Sequence, residues 1–172
     1  VIKSYKSKEL FCDRGKELEI LIRNFENDTD TTIVSLRRMG KTGLIYRLFD
    51  EIKIKSLDIL PVYVDIYASR TIADFIKLTA EAVLRAFPQE SSIGKHFMKF
   101  IKSLRPQFSF DTLTGEVQLQ IGYQGIAEKE HTLKELFEFL DQQNIHILLA
   151  YDEFQQIREY PEQNMEALLR TY

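Results

Sequence analysis

Residues 33–44 read Ile33-Val34-Ser35-Leu36-Arg37-Arg38-Met39-Gly40-Lys41-Thr42-Gly43-Leu44. A β-branched apolar run enters a turn, the turn closes on Gly40-Lys41-Thr42, and an apolar helical pattern follows at once. Strand, loop, helix is the order that a phosphate-binding P-loop needs. Successive loop amides point inward at an anion, and the helix that starts there adds the positive end of its dipole. In this reading Lys41 reaches the β- and γ-phosphates of a nucleotide, and the Thr42 hydroxyl ligates Mg²⁺. Ser35, Arg38, Met39, Gly40 and Gly43 complete the loop around the phosphates. Gly40 lets the backbone come close where a Cβ would intrude. The pattern G-x-x-x-x-G-K-[ST] has Ser35 at its first glycine. Arg37 and Arg38 occupy positions that act through backbone amides, so their side chains read as solvated. A lone Gly-Lys-Thr also fits a plain surface turn, and the flanking pattern is what argues against that.

A second motif supports the first. Residues 145–153 read Ile145-His146-Ile147-Leu148-Leu149-Ala150-Tyr151-Asp152-Glu153. A nearly continuous apolar run ending in two acids fits a buried parallel strand whose carboxylates emerge at its C-terminal edge. Asp152 would hold Mg²⁺ across from Thr42, and Glu153 would polarise the attacking water, with Lys41 as the second catalytic residue. Taken singly, the acids could open a helix and the run could be any core strand. Asp65 reads either as a further acid near Mg²⁺ or as a strand-end carboxylate capping the next turn. Gln155 either orients water or is a surface amide. Arg14 reads as a helix-surface partner of Glu17, three positions along.

The chain has 172 residues, enough for one domain with a real core. A net charge of −3 gives no general attraction to nucleic acid or acidic membrane. The single cysteine, Cys12, excludes an internal disulfide and fits a reducing cytoplasm. No apolar run approaches membrane-spanning length, and the three histidines are too scattered for a zinc site. Periodicity predicts a helix over 14–26 capped by Asp13, a strand over 31–36, a helix over 41–54 and a strand over 60–67. Thr71 and Asp74 form a capping box for a helix to about 87. A helix over 92–104 and a β-hairpin over 107–111 and 116–123 follow. Thr132 and Glu135 suggest a second capping box for a helix to about 143, and Pro161 suits the first turn of a last helix. The α/β rhythm is interrupted once, at 88–131.

These motifs together resemble the prokaryotic AAA+/STAND-like P-loop ATPases, the archaeal ATPase group related to origin-recognition initiators. Phe11-Cys12-Asp13-Arg14-Gly15-Lys16-Glu17-Leu18 resembles that group's F-x-x-R-x-x-E-L box. Residues 35–42 resemble its G-P-R-R-x-G-K-T loop, with Ser35-Leu36 for Gly-Pro. Tyr63-Val64-Asp65-Ile66-Tyr67 resembles its second strand, and Tyr151-Asp152-Glu153-Phe154-Gln155 its D-E-F-Q segment. The resemblance implies an α/β, three-layer αβα P-loop NTPase fold with a parallel sheet, carrying an inserted helix and hairpin at 88–131. It implies that residues 1–172 are the N-terminal portion of an ATP-binding domain, with sensor strand, lid and C-terminal domain beyond them. Arg14 near adenine, ATP and Mg²⁺ as ligands, and the choice of adenine over guanine also come from the resemblance. So does the expectation that this portion alone turns over little ATP. It leaves room for a homo-oligomer and for nucleic acid reached through the further domains.

Three functional classes fit these residues to different degrees. Glu153 after Asp152 favours an ATPase that couples hydrolysis to conformational change. Ser35-Leu36 in the loop favours a nucleotide-dependent switch with little turnover. A non-nucleotide interaction module is disfavoured by the intact Gly40-Lys41-Thr42 and Asp152-Glu153.

Overall fold

A computed structural model of the chain describes residues 14–36, 39–55, 59–87, 91–104, 107–110, 117–120, 122–123, 125–162 and 164–172. They form two compact units, one ending at Ile59 and one running from Leu60 onward.

The first unit pairs α1 (Gly15–Glu26) with α2 (Lys41–Lys55). On α1 the predicted stripe of Leu18, Leu21, Ile22 and Phe25 is the less exposed side. On α2 the residues at helical spacing, Leu44, Ile45, Leu48, Phe49 and Ile52, are all buried. The predicted cap Asp13 lies outside the described residues. Arg14 precedes the helix without a capping side-chain bond.

Residues 31–36 are not a strand, contrary to the sequence reading. Their exposure does alternate, with Ile33 and Ser35 half-buried and Val34 and Leu36 89% and 79% exposed. β-branched residues describe a surface that fits a sheet; a strand exists only once its amides and carbonyls find a ladder partner. Among the described residues none is found for this stretch.

The second unit is mixed α/β. β1 (Ile59–Asp65) and β4 (His146–Asp152) make a two-stranded parallel sheet. Between them in sequence come α3 (Ile72–Ala86), α4 (Ser92–Ser103), the antiparallel hairpin β2 (Gln107–Phe110) and β3 (Val117–Gln120), and α5 (Ile126–Asp141). A 3₁₀ helix (Phe154–Glu159) and the short α6 (Met165–Leu169) follow β4.

The core follows the two periodicities. Val62, Val64 and Ile66 alternate into it from the first strand and the residue just past it, with Ile147, Leu149 and Tyr151 packed beside them from β4. α3 presents Phe75, Ile76, Ala80 and Val83, all 0% exposed. Phe75 stacks on Tyr151 at 4.8 Å between ring centroids. α4 belongs to the same core. Its Phe97 packs against Phe87 of the α3 end and Phe139 of α5 at 5.8 and 5.3 Å. Within the interruption at 88–131, α4 is thus part of the second unit's packing.

The predicted capping box at α3 is present with one variation. Thr71 Oγ1 accepts from the Asp74 amide at 3.2 Å, while Asp74 Oδ2 accepts from the amide of Arg70 at 2.9 Å, one residue before the cap. A second acid, distant in sequence, joins it: Glu162 accepts from the Ile72 amide at 3.3 Å and from Lys129 of α5 at 2.7 Å.

Two other expectations are corrected. α5 starts at Ile126, so Thr132 is no cap; it lies buried within the helix and donates to the Glu128 carbonyl at 2.9 Å. A hydroxyl bonded to the carbonyl four residues back is the alternative that a threonine always has. Pro161 does not open the last helix, which begins only at Met165. Tyr160 is extended (φ −72°, ψ 138°), as a residue before proline prefers. Its hydroxyl is also tied to Ser69 Oγ at 2.6 Å.

Glu162 is 5% exposed. Burial pushes its pKa up, but the Lys129 ammonium and the Ile72 amide outweigh that and hold it below the ordinary range. Its contribution to stability is therefore complete above the ordinary glutamate pKa and fades as the pH falls through the lower, folded value. We expect Glu162→Gln to cost about 1.5–3 kcal/mol at pH 7, because it replaces a charge-assisted hydrogen bond to Lys129 by a neutral one. Urea unfolding followed from pH 7 to 3 should show the difference from the parent shrinking on acidification. A difference that holds constant to pH 3 would contradict this account.

Candidate functional site

The predicted site residues fall in both units. In the first, Gly40 has φ +75°. Its carbonyl accepts from the Leu44 amide at 3.0 Å, so the helix starts directly behind it. A Cβ built on Gly40 meets nothing within 4 Å. The demand for glycine at this position in the free chain is thus the left-handed backbone and not a close approach. The first turn of α2 carries no acidic residue. Its positive end is left without a local carboxylate, which suits an external anion.

Lys41 is half-buried and its Nζ turns back toward the Ser35 carbonyl, a long contact at 3.5 Å. Thr42 and Gly43 are half-buried in the same turn. Arg14 spans the unit, with Nε at 3.3 Å from Glu17 Oε1 and Nη1 donating to the Met39 carbonyl at 2.8 Å. Of the two readings of Arg14, the pairing with Glu17 is visible. The second contact adds a role that the sequence did not suggest, fastening the start of α1 to the residue before Gly40. Arg38 and Arg37 lie outside the described residues.

In the second unit, β4 ends on Asp152, 8% exposed. Tyr151 faces the α3 core, so by strand alternation Asp152 faces the other side of the sheet. Tyr63 of β1, between the core residues Val62 and Val64, is on that side too. Its hydroxyl donates to Asp152 Oδ2 at 2.8 Å, and Asp152 Oδ1 accepts from the Glu153 amide at 2.9 Å. Burial raises the pKa of Tyr151, whose hydroxyl lies 3.2 Å from Thr79 Oγ1. That phenol stays neutral and belongs to the core.

Glu153 adopts left-handed backbone, φ 57° and ψ 36°. For a residue with a Cβ this costs about 1–2 kcal/mol, and such strain concentrates at functional sites. The turn it makes sends the chain into the 3₁₀ helix. Its carboxylate accepts from the exposed Gln155 Nε2. Asp65 Oδ1 accepts from the Tyr67 amide at 2.9 Å, the turn-capping alternative for that acid.

Among the described residues no group of three or more His, Cys, Asp or Glu side chains is gathered as an autonomous metal site. Mg²⁺ needs no such cage, since one or two carboxylates, phosphate oxygens and water suffice. Thr42 in the first unit and Asp152 in the second are each an oxygen donor of the type that ion takes. A concavity of about 550 Å³ is lined by Ile157, Tyr160, Met165 and Arg170 among others, and by none of the predicted site residues. No helix among the described residues is long and apolar enough to cross a membrane. A scan of protein-family models, a search of curated proteins and a search of solved structures each returned no match.

Tyr63 is the site residue that sequence reasoning missed. The alternation of β1 puts it opposite Val62 and Val64, but which residue of β4 it would meet depends on register.

Gly40 and Gly43 provide a paired test. Gly40→Ala should lose about 1–2 kcal/mol because alanine resists positive φ. Gly43→Ala, helical and facing open space, should gain up to about 0.5–1 kcal/mol. Urea denaturation of both variants checks the opposite signs, and equal effects would refute the backbone argument.

Proposed function

We propose that the chain binds ATP with Mg²⁺ through residues 35–43 and hydrolyses it, converting nucleotide state into conformational change. The observation that carries this reading is the start of α2: a positive-φ glycine, a lysine folded toward its own loop, and an acid-free helix N-terminus follow one another in three residues. In this reading the amides of the turn and Lys41 hold the β- and γ-phosphates, and Lys41 exchanges its long contact to Ser35 for a phosphate oxygen. Thr42 and Asp152 would hold Mg²⁺, which supplies neutralising charge to the phosphates when bound. Glu153 accepts a proton from the attacking water. Arg14 would act on the loop through the Met39 carbonyl.

The wider assignment, to AAA+/STAND-like ATPases with a P-loop NTPase fold, a cytoplasmic setting and adenine as the base, rests on the motif resemblance. The adjacency of parallel β1 and β4, with Asp152 and Glu153 at the strand end, supports it. A slow nucleotide switch is a second reading, favoured by the Gln155 amide on the Glu153 carboxylate, which would have to let go before Glu153 meets water.

Titration calorimetry with Mg·ATP tests binding. Lys41→Ala should weaken it by about 1.5–3 kcal/mol, the value of a hydrogen bond to a charged group, and undiminished affinity would sink the assignment. Phosphate release separates the two readings. Glu153→Gln should keep ATP binding and lose ~10²–10⁴-fold in turnover if Glu153 is the general base. Equal turnover by parent and variant would remove Glu153 from that role.

A further inference from the structure

Asp152 ends a strand on the sheet face away from the α3 core, nearly inaccessible to solvent. A buried carboxylate needs hydrogen-bond donors. Two donors act on different oxygens. The Glu153 amide reaches Oδ1 at 2.9 Å and the Tyr63 hydroxyl reaches Oδ2 at 2.8 Å. The first is local and comes with the left-handed turn at Glu153. The second crosses from the neighbouring strand. Together they fix both the direction and the roll of the carboxylate plane. Each carboxylate oxygen can accept more than one hydrogen bond, so this clamp is compatible with an outward lone pair meeting a metal-bound water.

We infer that Tyr63 is the positioning residue for Asp152, setting the carboxylate orientation through which the chain holds a nucleotide-bound divalent cation. The inference rests on the proposed Mg·ATP reading and adds to it a residue that touches neither nucleotide nor metal. Partners that orient a metal-binding carboxylate are typically worth 10- to 100-fold in metal affinity. Only a long side chain can do this here, because a serine or threonine hydroxyl at the same place on β1 would stop well short of the strand end. Tyr63→Phe removes the donor and keeps the ring, so packing against the sheet is retained.

The test uses Mn²⁺ as the probe, read by electron paramagnetic resonance, in the presence of ATP. ATP affinity in EDTA is measured alongside by calorimetry. Tyr63→Phe should lower Mn²⁺ affinity of the ATP complex about tenfold and leave metal-free ATP affinity within twofold. Asp152→Asn should lower it at least as far, and the double variant should fall no further than Asp152→Asn alone, because the hydroxyl removed in Tyr63→Phe acts on the metal through that carboxylate. If Asp152→Asn weakens Mn²⁺ while Tyr63→Phe does not, the inference is overturned and the nucleotide reading stands. If Tyr63→Phe weakens metal-free ATP binding equally, its role is general packing and the inference is again overturned. If the parent holds Mn²⁺ no better than free ATP does, the metal assignment falls and takes the inference with it.

Discussion

The packing of α3 against the parallel pair β1–β4 governs the geometry of the second unit. Phe75, Ile76, Ala80 and Val83 are fully removed from solvent on one helical face, and Phe75 lies flat on Tyr151. At about 25 cal/mol per Å², apolar burial of this kind dominates the favourable side of folding. It also fixes register. Side chains alternate along a strand, so a slip of one residue would turn Tyr151 outward and drive Asp152 into the apolar core. The placement of a charged residue is thereby decided by the hydrophobic residue beside it, and Tyr63 meets Asp152 because the same rule holds on β1.

Polar anchors then complete the shell at two places. At the N-terminus of α3, Thr71 and Glu162 satisfy amides that the helix itself leaves unpaired, and Asp74 takes the Arg70 amide just before the cap. Glu162 carries its own countercharge in Lys129, so one carboxylate ties the segment after β4 to α3 and α5. At the other place, Ser69 and Tyr160 bond in the interior and fix the chain before Pro161. These contacts explain why the segment after the 3₁₀ helix does not continue as the helix that Pro161 suggested.

In the first unit the defining feature is conformational. Gly40 turns the chain through positive φ directly before a fifteen-residue helix whose first turn has no acid. Arg14, just before α1, braces the turn through the Met39 carbonyl. Lys41, at the start of that helix, turns its ammonium back toward the Ser35 carbonyl.

Elements with a local signal could be read from the chain alone. The apolar stripes of α1, α2 and α4, the α3 cap, the hairpin and the two strands β1 and β4 were legible because periodicity and capping chemistry act within a few residues. So was the Gly40-Lys41-Thr42 turn ahead of α2. Features that need a partner were settled by tertiary contacts. Residues 31–36 have strand composition but no ladder among the described residues, since a strand, unlike a helix, cannot satisfy its own backbone. Thr132 looked like a cap because cap and mid-helix threonines share a local pattern, and only the extent of α5 tells them apart. The hydroxyl of Tyr63 on Asp152 and the carboxylate of Glu162 on the α3 terminus join residues some ninety positions apart. No local rule reaches that far, because such contacts depend on which faces the core has already consumed.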